Sequence, residues 1–434
     1  MISISRHRSP RGSRRSPSSR NPRSAWYRRS RLAAPLALVT AGVLALAACS
    51  GGSGGAGGGG GSTKSALPSS APRAQLVITP KDGAMHVGVS VGAVTAAVAE
   101  GALTSVTLTN ESSGKAMPGK MSAAQTSWKA GHELTRGTPY VLVAQAKDKS
   151  GKTETKTSHF TTVSQADSVI AFYTPDDHTT VGVGMEVSFK LDKPVKNKKA
   201  VESAVAITSS NDQLAVGHWF GDQRIDFRPQ SYWKPGTTVR VALNLDGVEV
   251  SPGVYGVQDR TFSFTVGRSQ ISTVDAAKQM MTVERAGSPS KTIPVSTGSS
   301  GHGTYNGTMV ISEQFQQTKM DSTTVGLGDE YNIPDVPHAQ RLTNSGTFIH
   351  GNYWASTGTF GSAATSHGCI GMHDAQGGTN TSTPAGWFYS NSLVGDVVIV
   401  KNSTGGGKVS PDNGLNGWNM SWSAWTAGSA AAAE

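Results

Sequence analysis

Between residues 74 and 267 apolar and polar positions alternate in short runs, such as Val106-Thr107-Leu108, Val187-Ser188-Phe189 and Phe262-Ser263-Phe264-Thr265-Val266, with Gly, Pro and Asp between them. A period of two sends successive side chains to opposite faces of a strand. Such runs at regular spacing predict half-buried strands stacked as β-sandwiches. Helical periodicity is nearly absent. The stretch also repeats itself. Thr79-Pro80-Lys81-Asp82 with Val87-Gly88-Val89 returns as Thr174-Pro175-Asp176-Asp177 with Val181-Gly182-Val183, and Gly137-Thr138-Pro139-Tyr140-Val141 is echoed by Pro235-Gly236-Thr237-Thr238-Val239. The repeat predicts two immunoglobulin-like modules in tandem, 74–165 and 166–267. Neither carries a cluster of His, Asp or Cys, so both read as spacers or binding stalks.

From 268 to 402 the runs shorten and Gly, Ser and Thr multiply around scattered His and Trp. Met281 to Gly287 and Lys291 to Gly298 read as two hairpin strands, and Val397-Val398-Ile399-Val400 as a closing strand, giving a third, mainly β domain. The tail, 403–434, carries Trp418, Trp422 and Trp425. Polar linkers seldom hold three tryptophans, so the tail is expected to pack back on this domain as an aromatic plug.

The N-terminal segment has a different texture. An arginine-rich arm leads into an uncharged apolar run, Leu32 to Ala48, followed by Cys49 and a Gly/Ser-rich stretch. Basic arm, apolar run and small residues together predict a secretory signal over 1–48. At about 17 residues the run is also at the lower edge for a bilayer span, so an uncleaved anchor is the competing reading. Leu46-Ala47-Ala48-Cys49 resembles a bacterial lipobox, which implies lipid on Cys49 and a membrane anchor there. Residues 49–73 then form a tether that buries too little apolar surface to fold.

Charge changes the picture once the leader is set aside. The net charge is +10, but ten arginines lie within residues 1–31, and the 29 basic residues that remain equal the 29 Asp and Glu. Without its leader the chain has no overall basic field to draw in a polyanion, so nucleic acid is not an expected partner.

Of the two cysteines, Cys49 is assigned to lipid, so Cys369 has no disulfide partner, and an unpaired thiol in an exported domain asks for a chemical reason. Cys369 lies in Ser366-His367-Gly368-Cys369-Ile370-Gly371, eighteen residues after Gly351 of Phe348-Ile349-His350-Gly351. A cysteine attacks carbonyls as thiolate, and a nearby imidazole lowers its pKa by ion pairing. Ile349-His350 is expected to end an apolar strand, placing the imidazole at a rigid tip. Gly368 lets the backbone approach a substrate, so the amides of His367, Gly368 and Cys369 are candidates for an oxyanion hole. His350, His367, Cys369 and His373 also suit zinc by donor type, but their spacing matches no common zinc motif, so no metal or cofactor is expected. His302, in Gly301-His302-Gly303, reads as a solvated loop residue.

Taken together, the segment from Gln270 to about Asn402 resembles the YkuD-type L,D-transpeptidase catalytic domain, marked by a His, a variable stretch, then Ser-His-Gly-Cys. The tandem sandwiches and Gly417-Trp418-Asn419-Met420-Ser421-Trp422 resemble its actinobacterial lipoprotein branch. The resemblance implies Cys369 as nucleophile, His350 as general base, support of His350 by the carbonyl of Gly351, and an oxyanion hole at His367, Gly368 and Cys369. It also implies a lid at Met320 to Thr324 and Tyr331, with Phe348, Trp354 and Ser366 beside the substrate. The implied reaction joins peptidoglycan stem peptides by 3→3 cross-links, outside the membrane, and the implied inhibitors are carbapenems. Gly351 stands where many members have Ser, and Gly371 where most have Asn or Arg. An L,D-carboxypeptidase using the same thioester, and a wall-binding lipoprotein whose catalytic domain has decayed, are the alternatives.

Overall fold

The computed structural model describes residues 73–431. The predicted signal, the lipid site at Cys49 and the tether lie outside them. None of the described helices is long and apolar enough to cross a membrane.

The first sandwich packs a four-stranded sheet on a five-stranded one. Its strand Pro139–Asp148 shows how alternation builds the core: Tyr140, Leu142, Ala144 and Ala146 point inward, and the residues between them are more exposed. The second sandwich pairs two four-stranded sheets, with Val187, Phe189 and Leu191 of one facing Phe262 and Phe264 of the other.

The repeated Val-Gly-Val motif has a shared structural use. In the first module a Cβ on Gly88 would meet Asp246 Oδ2 of the second at 2.2 Å, and Asp246 accepts the amides of Val89 and Ser90 at 2.8 and 2.9 Å. In the second module a Cβ on Gly182 would meet the backbone nitrogen of Asp396 in the third domain at 2.2 Å. The amides of Gly182 and Gly184 bond the carbonyls of Val394 and Gly395 at 2.8 and 2.9 Å. At the second junction the obstacle is backbone, which only a glycine admits so close; at the first it is the end of the Asp246 side chain.

The third domain is built on nine strands in one sheet: β1 Gln270–Asp275, β2 Met280–Arg285, β3 Ser288–Ser296, β4 Gly307–Val310, β5 Glu313–Asp321, β6 Asn332–Arg341, β7 Phe348–Asn352, β8 Ile370–His373 and β9 Val397–Lys401. Their order across the sheet is β4-β9-β1-β2-β3-β8-β7-β6-β5. The predicted hairpin is β2–β3, turning at Ala286 and Gly287. The predicted closing strand, β9, instead lies inside the sheet between β1 and β4; four consecutive apolar residues suit a strand covered on both sides. The sequence reading also lacked the helix α1, Pro384–Ser390, capped by Thr383 and packing Ala385 and Phe388 into the core with Ile349, Ile370 and Met372.

The tail does not plug the third domain alone. Trp425 is fully buried against the second sandwich, its Nε1–H donating to the carbonyl of Val216 at 2.8 Å, and Trp418 Nε1–H donates to Gly184 at 2.7 Å. Asn416 and Asn419, between them, accept the amides of Val310 and Thr308 on β4 at 3.0 and 2.8 Å. The tail therefore ties the two domains together. Arg228 of the sandwich sits among Trp418, Trp422 and Trp425, its guanidinium 4.6, 5.5 and 4.4 Å from their rings.

Candidate active site

β7 and β8 run parallel, pairing Ile349 with Ile370, His350 with Gly371 and Gly351 with Met372. Alternation then divides the site. Ile349, Ile370 and Met372 enter the core, so His350 and Asn352 project from the other face. There they line a cavity of about 290 Å³ with Cys369, Ser366, His367, Tyr331 and Trp354. A larger hollow of about 1020 Å³, where the second sandwich meets the catalytic sheet, contains neither Cys369 nor His350.

His350 is the third of five residues in β7, not its tip, and it is buried. Its Nδ1 lies 2.8 Å from the carbonyl oxygen of Gly351. A carbonyl only accepts, so Nδ1 carries the proton and the neutral ring keeps the Nε2 lone pair for a base. Burial lowers its pKa, against the Gly351 hydrogen bond and the charge of Asp374, which raise it. The ring stacks on Trp354, centroids 5.8 Å apart.

Cys369 is half-buried and its thiol donates to the carbonyl of Gly346 at 3.7 Å. Burial pushes the thiol up to about 11, and the backbone of Phe348 works against that shift. Both shifts favour uncharged forms, so the resting pair is thiol and imidazole, where an ion pair had been expected. Desolvation is the largest cause of both shifts.

The loop before Cys369 corrects another expectation. Ser366 Oγ donates to the carbonyl of Cys369 at 2.6 Å and accepts the amide of Gly368 at 3.2 Å. The Gly368 amide is thus occupied, and Gly368, at φ +113°, serves as the turn itself. Phe348 is also not a cavity wall: its ring lies under the guanidinium of Arg341, 4.5 Å away, and only its backbone faces Cys369. Tyr331 and Trp354 do border the cavity, as does Met320.

His302 lies in its loop with its side chain partly exposed, but it is not alone there. Its ring lies 5.0 Å from that of His367, and both Nε2 atoms face one carboxylate oxygen of Glu330, at 3.8 Å from His302 and 3.0 Å from His367. Glu330 had no sequence signal. His373 packs instead on Phe360, away from this group. Behind β7, Asp374 Oδ2 pairs with the buried His338 Nδ1 at 2.7 Å, a contact that neither residue's neighbours in sequence foretold.

A family model described as the L,D-transpeptidase catalytic domain matches residues 269–400, and one for a bacterial Ig domain matches 86–249. L,D-transpeptidase 2 of Mycobacterium tuberculosis (strain CDC 1551 / Oshkosh) is 33% identical over 401 residues, covering 91% of this chain and 94% of that protein. This chain belongs to the L,D-transpeptidase family. L,D-transpeptidase 5 of Mycobacterium tuberculosis (strain ATCC 25618 / H37Rv) is 29% identical over 399 residues, 90% of this transpeptidase and 83% of the relative. A solved structure of the LD transpeptidase LdtMt1 in complex with imipenem is 27% identical, covers 54% of this chain and 99% of that one, and superposes with a TM-score of 0.45. The catalytic match covers the nine-stranded sheet that carries His350, together with the loop before β8 that ends in Cys369.

Proposed function

We propose that this transpeptidase forms 3→3 cross-links between peptidoglycan stem peptides through a thioester on Cys369. It would act at the outer face of the cell membrane, held there by a lipid on Cys49 and given reach by the glycine-rich tether. The carrying observation is the hydrogen bond from His350 Nδ1 to Gly351, which leaves a basic Nε2 in the cavity that also holds Cys369.

In the first half-reaction the thiol passes its proton to His350 Nε2 as sulfur bonds to the carbonyl carbon of the third stem residue. The amides of His367 and Cys369, which have no acceptor among the described residues, stabilise the oxyanion. Collapse breaks the bond to the terminal D-alanine, whose amine takes the proton from His350, leaving a thioester. In the second half-reaction the side-chain amine of another stem attacks the thioester, gives its proton to His350, and the thiol is restored as sulfur leaves. Buried, neutral reactants suit this general-base route, because no charge has to be desolvated before the substrate arrives. Carbapenems would acylate the same sulfur by ring opening.

The test uses residues 68–434, one compact unit, and its Cys369→Ala variant. Each is incubated with meropenem and weighed intact, then supplied with tetrapeptide muropeptides. A drug adduct on the parent alone, with cross-linked dimers as product, supports the proposal. Tripeptide without dimer means that water resolves the thioester, and the enzyme is a carboxypeptidase. Absence of any adduct overturns the proposal.

A further inference from the structure

We propose that His302, Glu330 and His367 form a zinc(II) site that clamps the lobe above the cavity to the loop bearing Cys369. Three separate stretches of chain bring these residues together. His302 belongs to a glycine loop fixed to the catalytic loop: the amide of Ser299 donates to the carbonyl of Ser366 at 2.8 Å, and His302 closes back on Ser299 at 3.0 Å. Close packing leaves this loop little freedom, since a Cβ on Gly298 would meet the His302 carbonyl at 2.0 Å. Glu330 belongs to the lobe 322–331 between β5 and β6. That lobe is held in shape by Ser322 Oγ, whose one proton is shared between the carbonyls of Gly328 and Tyr331 at 2.6 and 2.8 Å and which accepts the Tyr331 amide at 3.0 Å.

The donor set is two imidazole nitrogens and one carboxylate oxygen, with all three ligand atoms within 4.8 Å of one another. Two His and one carboxylate, with a fourth position for water, is an established ligand set for zinc, and bonds of about 2.0–2.2 Å place neighbouring ligand atoms about 3.3–3.5 Å apart in a tetrahedron. The separations of 3.0 and 3.8 Å to Glu330 straddle that spacing, so small rotations of exposed side chains complete the geometry. Imidazole and carboxylate also favour zinc over calcium or magnesium, which take oxygen ligands. His367 lies two residues before Cys369, and Tyr331, next to Glu330, sits over the His367 ring at 5.1 Å. A metal here fixes Tyr331 and His367 together at the cavity mouth and slows entry to the thiol.

The binding arm does not depend on the thioester reading, and the clamping arm does. Zinc chloride is titrated by calorimetry into residues 68–434 carrying Cys369→Ala, which removes the thiolate as a competing ligand. One zinc per chain is expected, with affinity falling about tenfold or more when His302→Ala or Glu330→Gln is added. Both side chains are partly exposed, so these variants should melt with the parent when no metal is present. Absence of binding, or equal affinity in both variants, overturns the site. In the chain with Cys369 intact, zinc should slow meropenem acylation at least several-fold, and Glu330→Gln should abolish the slowing. Acylation that zinc leaves unchanged overturns the clamp. A chain that binds zinc but is never acylated even without metal upholds the site and sinks the thioester reading.

Discussion

Asp374 fills the space that a side chain on Gly351 would need: its Oδ2 lies 1.9 Å from where a Cβ would begin. The carboxylate is held there from several sides. His338 Nδ1 meets Oδ2 at 2.7 Å, while the Ala375 amide and Thr383 Oγ1 donate to Oδ1 at 2.8 and 2.7 Å. The absence of Ser after His350 is therefore matched by an aspartate on the core side of β7.

Gly351→Ser should destabilise the protein by about 1–3 kcal/mol, the range for forcing atoms into a packed interior. It should also lower meropenem acylation, because the Gly351 carbonyl that orients His350 moves with the backbone. Adding Asp374→Ala should return part of both losses. Melting temperatures and acylation rates of the two single variants and the double variant check this; additive losses would mean that the two positions do not compete for space.

Gly371 is the opposite case. A Cβ there would meet Asn352 Nδ2 and the Ser296 carbonyl at 3.6 Å, which is ordinary contact. Gly371→Asn should fold with a stability change within about 1 kcal/mol and keep an acylatable thiol. A large fall in acylation with unchanged melting would show that the loop around Cys369 is tuned to glycine.

The neutral resting pair sets the pH dependence. His350 must be unprotonated to accept the thiol proton. Burial lowers its pKa below the usual 6.5, so acylation should hold as pH falls through 6.5 and fail only beneath the lowered value. Without the base, reaction depends on free thiolate, which accumulates only toward pH 11. His350→Ala should thus be slower at pH 7 by a factor on the order of 10² to 10⁴ and should recover steadily as pH rises. Stopped-flow acylation across pH reads both profiles; a variant as fast as the parent at pH 7 would remove His350 from the mechanism.

At the tail junction Glu186 is fully buried, and among the described residues the backbone of Gly417 is the one hydrogen-bonding group near its carboxyl, too poorly aligned to make a full bond. Burial, then the charge of Asp226, raise its pKa well above the ordinary value. A carboxyl whose folded pKa exceeds its unfolded one is most favourable to folding at low pH. Its contribution declines as pH climbs from the unfolded value through the folded one. Glu186→Gln, neutral at every pH, should melt near the parent at pH 4.5 and a few degrees higher at pH 8. A constant difference across that range would show that Glu186 does not change its charge on folding.

The two domain junctions differ in which atoms would have to yield. Gly182→Ala drives a Cβ into the backbone of Asp396, whereas Gly88→Ala meets only the end of the Asp246 side chain. Gly182→Ala should therefore lower the melting temperature more and open the second junction to protease; equal effects would show that both junctions yield alike.

What the sequence determined by itself is whatever repeats or sits close along the chain. Alternation named the strands because a strand's faces follow its own residues, as in Val187-Ser188-Phe189 and Phe262-Ser263-Phe264. The double Val-Gly-Val marked the two modules, and Ser366 to Cys369 with His350 marked the candidate site, since their residue types suit nucleophilic chemistry at short spacing. Tertiary structure decided the partnerships between distant segments. Asp374 meets His338 thirty-six residues away, Glu330 joins His302 and His367, and the tryptophans of the tail choose the second sandwich over the third domain. The uncharged state of Cys369 and His350 belongs to the same class, for it follows from burial, and burial is a property of the assembled fold. Such contacts leave no periodic trace, because each needs only one residue of the right kind, placed by the whole sheet rather than by its neighbours in the chain.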